Sequence, residues 1–276
     1  MRLIGQGWDN WAFLVNDEFV FRFPRRKLAA ELIQAELKCL GSIRPFAAVP
    51  VPDPIFVGAP TAEYPYPFAG YRMLPGIPAC QVAWTDEDRA KLASPLGLFL
   101  AQVHRITIDS ATQNWAPPDT IRRADITWRL PKSIEQAKSM APLLREHGVD
   151  PDRVVAELES FATTQPSKEA PCWVHGDFYP CHFLVDAQSA LTGVIDWGDV
   201  HLGDRALDLS IAFTFLPASA RPEFWSAYGL GFDLDMQNRA RFRARHYGLI
   251  LLKYAVDVAN EHLVETAKYA LNSCLD

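Results

Sequence analysis

Two short stretches hold the residues with the clearest chemical potential, 175-HGDFYPCH-182 and 194-VIDWGD-199. In the first, Asp177 sits in a loop containing glycine and proline, with His175 two residues before it and His182 five residues after it. In the second, Asp196 directly follows the apolar run 191–195. A carboxylate can orient a hydroxyl and take its proton, and a second carboxylate can hold a divalent cation. Phosphoryl transfer needs both, a base for the acceptor and hard ligands for a metal that bridges nucleotide phosphates. Taken singly, Asp177 and Asp196 also suit turn residues or helix caps.

The flanking patterns set what must position these groups. Apolar runs predict short strands at 172–175, 182–186 and 191–195, the last two joined by the turn 186-DAQSAL-191. An antiparallel hairpin of this kind puts His182 and Asp196 at one end, with the Asp177 loop curling over it. Cys181 and His182 are neighbours in an extended segment, so they point to opposite faces. Cys181 therefore reads as a small loop or core residue, not as a thiol nucleophile.

Upstream, the first 25 residues alternate like strands. Trp11, Phe13 and Val15 share one face, Asn16-Asp17-Glu18 make a turn, and Phe19, Phe21 and Phe23 oppose Val20 and Arg22. Gly5-Gln6-Gly7 precede this hairpin in a loop. Residues 27–43 have helical spacing, with Leu28, Leu32, Ala35 and Leu40 on a stripe and Gly41 as a C-cap. Prolines make 49–60 an edge strand and turn, and 68–74 reads as a further strand before a junction near 74–78. The rest is mostly helical: 86–106 with its cap signal at Thr85, about 130–147, 151–163, and a block from 205 onward. The result is a two-lobed α+β protein.

Composition narrows the classes. The chain has 276 residues, 49% hydrophobic, and a net charge of −6. That is enough for two modest lobes with real cores, and it lacks the basic face of a nucleic-acid binder. The run 247–259 is too short and too charged to span a bilayer, and the first residues show no signal peptide. Cysteines 39, 80, 172, 181 and 274 have no metal-like spacing and read as reduced thiols of a cytoplasmic protein. Histidines 104, 147, 201, 246 and 262 lack paired ligand spacing and read as core or surface.

With HGDxxxxH…IDWGD in view, the chain resembles the aminoglycoside phosphotransferase family, small-molecule kinases with a protein-kinase-like fold. The likeness covers nearly the whole length, and the histidine at 182 with the FRFPRR strand (residues 21–26) is closest in pattern to the macrolide phosphotransferase branch. The resemblance implies a small antiparallel β-sheet lobe that binds nucleotide (1–75) and a mostly helical lobe with the catalytic loop and acceptor cleft (76–276). By it, Asp177 is the catalytic base, Asp196 binds Mg²⁺, His175 structures the loop, and Asp199 and Asp204 support. Asp208 resembles a structural carboxylate at a helix terminus. Gly5 and Gly7 resemble the nucleotide-covering loop, which continues through Trp8. Arg22 takes the place of the kinase strand lysine, with Glu36 as its partner and Glu31 as competitor. Arg72, Met73 and Leu74 resemble the hinge that reads the purine.

His182 stands where the family's commonest pattern has asparagine. It is a substitute metal ligand, a group that holds the Asp177 loop, or the mark of a weakened pseudo-enzyme. Trp225, Tyr228, Asp233 and Glu261 are weak candidates for the acceptor cleft. The expected activity is transfer of the γ-phosphoryl of ATP or GTP to a hydroxyl of an aminoglycoside- or macrolide-like antibiotic. The alternatives are a housekeeping kinase of choline, a sugar or homoserine, and a silent nucleotide binder. Expected partners are nucleotide and acceptor, with no nucleic acid or membrane, in a monomer or homodimer.

Overall fold

Alternation at the N-terminus becomes a five-stranded antiparallel sheet in the order β1-β2-β3-β5-β4. Its strands are β1 (Arg2–Gln6), β2 (Asn10–Val15), β3 (Phe19–Pro24), β4 (Pro54–Gly58) and β5 (Phe68–Arg72). The computed structural model describes residues 1–7 and 9–273, so Trp8 and Cys274 lie outside the described residues. Asn16 and Asp17 turn β2 into β3 with φ of 54° and 53°. Their short polar side chains tolerate the left-handed region better than most non-glycine residues. Gly5 and Gln6, expected in a loop, pair with Ala12 and Trp11 as an edge strand.

The register Phe13↔Phe21↔Gly70↔Phe56 puts rings on one face of the sheet. Phe21, Phe23, Phe56 and Phe68 stack or tilt against one another there. The opposite face carries Leu14, Arg22 and Tyr71 toward α1 (Lys27–Ile43). That helix buries Ala29, Ile33, Glu36, Leu40 and Ile43. The expected stripe is rotated: Leu28 is half exposed, and Glu36 takes a buried place because Arg22 reaches it beneath the sheet. Gly41 is inside the helix, not its cap.

After the sheet, β6 (Ile77–Pro78) pairs with β8 (Phe183–Val185), which pairs with β9 (Leu191–Val194). A second small ladder joins β7 (Cys172–Val174) to β10 (His201–Gly203). Helices supply the remaining body: α2 (Asp86–Ala90), α3 (Ala93–His104), α4 (Ser110–Gln113), α5 (Ile126–Ser139), α6 (Ala141–Glu146) and α7 (Pro151–Ser160). They continue with α8 (Ala206–Leu209), α9 (Ile211–Thr214), α10 (Arg221–Tyr228), α11 (Leu234–Asp257) and α12 (Glu261–Ser273). The one helix expected over 86–106 is two. Thr85 caps α2 by accepting from Asp88 N, and a fresh helix begins at Ala93 with Pro95 in its first turn, where its missing N–H has no intrahelical partner to lose.

One core runs from Ile33, Leu40 and Tyr71 to Phe99, Trp173, Trp197 and Phe224, so both lobes share it. A second joins α5, α7, α11 and α12 through Leu130, Leu158, Phe242 and Leu271. No helix of the described residues is long and apolar enough to cross a membrane. The helix pair α3 and α10 packs so closely that a Cβ at Gly97 would lie 2.6 Å from the carbonyl oxygen of Phe224. Gly97→Val should push these helices apart and cost about 3 kcal/mol, lowering Tm by roughly 5–10 °C in a thermal melt.

Candidate active site

The loop that carries Asp177 hangs from one buried carboxylate. Asp208, in α8, accepts from the backbone N–H of His175 at 2.7 Å and of Gly176 at 2.9 Å. His104 Nε2 approaches its Oδ2 at 3.2 Å. Burial alone would raise the Asp208 carboxyl, but the hydrogen bond from His104 and the charge around it outweigh that and hold it below the ordinary range. Gly176 has φ of 81°, and a Cβ there would sit 2.5 Å from the carbonyl oxygen of Asp199. Only glycine permits that turn.

His175 ties this loop to the other stretch. Its Nε2 donates to the carbonyl of Ile195 at 2.9 Å, so Nδ1 is free to accept from Asp177 N at 3.3 Å. Burial lowers its pKa and keeps the ring neutral. The ring packs against Trp197 with centroids 4.7 Å apart.

Asp196 follows β9 in a left-handed conformation, φ 61° and ψ 62°. Arg22 Nη2 bonds its Oδ1 at 2.7 Å, while Nη1 lies 2.9 and 2.8 Å from the two oxygens of Glu36. Burial opposes ionisation of Asp196, but the Arg22 guanidinium prevails and brings its carboxyl down to about 2. Glu31 lies elsewhere, exposed beside Lys27.

His182 stands between the two aspartates. Its Nδ1 is 2.8 Å from the carbonyl oxygen of Asp177 and 3.7 Å from Asp177 Oδ2. That contact assigns the proton of a neutral ring to Nδ1. Nε2 then turns a lone pair toward Asp196 Oδ2, 3.4 Å away. Two acceptors at this distance call for a proton or a cation between them, so the donor set fits a divalent ion. No cluster of three or more His, Cys, Asp or Glu ligands is present among the described residues. Two protein ligands, completed by phosphate oxygens and water, match how Mg²⁺ is held with nucleotides.

Asp177 has Arg243 of α11 on its far side, Nη2 to Oδ1 3.7 Å. Burial raises its carboxyl above the ordinary range, against the pull of His182 and Arg243. The two aspartates open onto a cleft of about 650 Å³ between the lobes. Gly5, Gly7, Arg22, Glu36, Asp177, His182, Asp196 and Asp199 all line it.

The other expected residues lie away from the cleft. Arg72 pairs with Glu18 at the end of the sheet, Met73 N donates to the Glu18 carbonyl at 2.8 Å, and Leu74 packs near Gly193. Trp225 packs on Phe232 and Phe213, and Tyr228 is fully buried with its hydroxyl 2.9 Å from His104 Nδ1. Asp233 caps α11 through Met236 N. These are packing and capping roles, because α10 turns its aromatic side inward onto α3. Glu261 is exposed at the start of α12, while its neighbours Asn260 and His262 line the cleft.

A further part of the lining comes from α11 and α12 instead. Tyr247, Ile250, Leu251 and Tyr254 form it, with Tyr179 of the loop and Leu263. Their spacing of 0, 3, 4 and 7 is a helical stripe visible in the sequence, but it is indistinguishable there from a core stripe. The expectation of reduced thiols is also corrected. Cys80, beside β6, and Cys181 form a disulfide with Cα atoms 4.9 Å apart, within the range such bonds require.

Asp208→Asn should loosen the loop and leave a buried network half satisfied. We expect a loss of about 3 kcal/mol and a Tm lower by roughly 10 °C. Because the Asp208 pKa is depressed on folding, its stabilisation is present above about pH 4 and disappears as pH falls through the lower folded value. The acid side of a stability–pH curve should therefore be flatter in the variant.

Comparison with known proteins agrees with this geometry. A solved macrolide 2'-phosphotransferase from Brachybacterium faecium is 25% identical, with TM-score 0.62 over 98% of this chain and 91% of that one. The GDP and kanamycin complex of APH(2")-IIia has TM-score 0.70 at 23% identity, covering 99% and 92% of the two chains, and shows the same fold. An aminoglycoside 3'-phosphotransferase of Streptomyces ribosidificus is 28% identical over 158 residues, 56% of this chain and 56% of its own, so the match spans about half the length of that relative. The model of the phosphotransferase enzyme family known as APH matches residues 1–245, and the chain belongs to that family.

Proposed function

We propose that the protein transfers the γ-phosphoryl group of ATP or GTP to a hydroxyl of a small molecule, an aminoglycoside- or macrolide-like antibiotic. The observation that carries this is the convergence of Asp177, His182 and Asp196 on one cleft that Arg22, Gly5 and Gly7 also line. Residues 1–75 would hold the nucleotide, and residues 76–276 would present the catalytic loop and the acceptor. GDP in the related structures supports a nucleoside triphosphate as donor.

Asp177 would take the proton of the acceptor hydroxyl as its oxygen attacks the γ-phosphorus. The β–γ bridging P–O bond breaks, and the nucleoside diphosphate leaves. Arg22 would fix Asp196 and lend its positive charge to the phosphate oxygens. Asp196 and His182 would hold Mg²⁺, which would supply charge neutralisation at the phosphates. The remaining contribution is positioning. A protein using cytoplasmic nucleotide as substrate would work in the cytoplasm, as a monomer or homodimer.

Of the two acceptor types, the wall favours the macrolide-like one. Each carboxylate lining the cleft already has an arginine within 4.0 Å: Asp9 with Arg26, Glu36 and Asp196 with Arg22, Asp177 with Arg243, Asp199 with Arg123. A polyamine sugar would find no free acidic group, whereas Tyr179, Tyr247 and Tyr254 offer flat apolar faces to a large uncharged ring.

Three measurements test this. A phosphorylation screen across antibiotic classes, with ATP and GTP in parallel, should find Mg²⁺-dependent transfer, with macrolides ahead of kanamycin. Asp177→Ala should lower kcat by about 10³-fold or more and leave nucleotide Kd within a few-fold; near-normal turnover would remove Asp177 from the role of base. His182→Asn should keep substantial Mg²⁺-dependent activity, since a carboxamide can donate to the Asp177 carbonyl and turn its oxygen toward the metal. A dead His182→Asn enzyme would give the imidazole a role of its own.

A further inference from the structure

The Cys80–Cys181 bond lies in the wall of the same cleft. We propose that it is a reversible thiol–disulfide site that sets the order of the catalytic loop according to the redox state around the protein. The proposal rests on the phosphotransfer reading for the activity that the loop controls and for the reducing surroundings in which the bond would open.

Position is the first support. Cys181 immediately precedes His182 and follows Asp177 by four residues. Cys80 sits in the short 3-10 turn, Ala79–Gln81, that follows β6 where the chain leaves the sheet. The bond thus ties the segment just after the junction of the lobes to the loop that holds Asp177 and His182. It is not needed to bring the two segments together. Cys80 N donates to the Pro180 carbonyl at 3.0 Å, and β6 and β8 pair through Ile77↔Val185 and Pro78↔Leu184. What the bond adds is a restraint on Cys181 itself, across a sequence separation of 101 residues.

Access and chemistry are the second support. Both cysteines line the cleft and neither is fully buried, which leaves the bond on the side a small dithiol would approach. The free cysteines among the described residues are shielded from exchange. Burial raises the thiols of Cys39 and Cys172 to about 12, far from the thiolate that reacts. A nucleoside-triphosphate-dependent enzyme works where thiols are kept reduced, and disulfides in such a compartment are transient or sensing.

The reaction is a two-electron exchange. A thiolate of the dithiol attacks one sulfur, the S–S bond breaks, and a mixed disulfide forms. The second thiol resolves it, so Cys80 and Cys181 gain two electrons and two protons and the reductant leaves as its cyclic disulfide. Once reduced, the 177–182 turn loses its covalent tie and keeps the hydrogen bonds from His182 Nδ1 to the Asp177 carbonyl, from His182 N to the Tyr179 carbonyl at 2.8 Å and from Cys80 N to the Pro180 carbonyl, together with the packing of Phe178. Arg22, Glu36, Gly5 and Gly7 are untouched, so nucleotide affinity should not change.

The test uses the full chain, oxidised with oxidised glutathione or reduced with dithiothreitol. Thiols are counted by mass after alkylation, and hydrogen exchange is followed over 176–185. Reduction should speed exchange in this segment about tenfold and lower kcat by a similar factor, with nucleotide Kd within twofold. Cys80→Ser should match the reduced protein under both conditions. The proposal is overturned if oxidised glutathione never forms the bond. It is equally overturned if exchange is unaltered on confirmed reduction, or if Cys80→Ser still responds to dithiothreitol. Redox-dependent exchange with no phosphate transfer to any acceptor would reject the phosphotransfer reading and leave the thiol–disulfide site standing.

Discussion

Arg22 is the contact on which the arrangement of the two lobes depends. One guanidinium joins Glu36 of the helix under the sheet to Asp196 of the helical lobe. Its position follows from strand alternation, because only the face opposite the phenylalanine rings looks toward α1. A buried bidentate pair of this kind is costly to desolvate and keeps its place only with good geometry and full hydrogen bonding. Its presence explains why α1 turns a carboxylate inward and exposes Leu28. It also explains why Asp196 stays ionised although burial opposes it.

On the other side of the cleft, charge is balanced locally. Asp208 accepts two backbone N–H groups and so fixes the entry to the loop. His175 fixes its distance from β9 by donating to Ile195. His182 closes the far end, and Arg243 backs the Asp177 carboxylate. The site is built from short hydrogen-bonded links between elements whose own packing is apolar, so each side chain has few alternative positions.

Much of this was legible in the sequence, for a physical reason. His175, Asp177, His182 and Asp196 are held by a loop and one hairpin, so their spacing along the chain is nearly their spacing in space. Alternation in β2 and β3 likewise placed Arg22 on the correct face, and the choice of Glu36 over Glu31 agrees with the ion pair found. What failed was non-local. Cys80 and Cys181 are 101 residues apart and carried no spacing signal. The aromatics of α10 and the stripe of α11 look alike in sequence, yet Tyr228 is core and Tyr247 lines the cleft. Helix facing is decided by partners, and one chain does not name them. The split of the helix over 86–106 had a local cue in Pro95 that apolar periodicity masked.

The backbone of Asp196 has an evolutionary corollary. With φ of 61°, it occupies the region in which asparagine and glycine are the least strained residues. Exchange to either would relieve backbone strain, but it would also take from Arg22 the carboxylate through which it reaches the helical lobe. Backbone strain and ion pair therefore pull in opposite directions at this position, and a substitution that ends the chemistry also loosens the contact between the lobes. Stability and catalysis thus select for the same carboxylate.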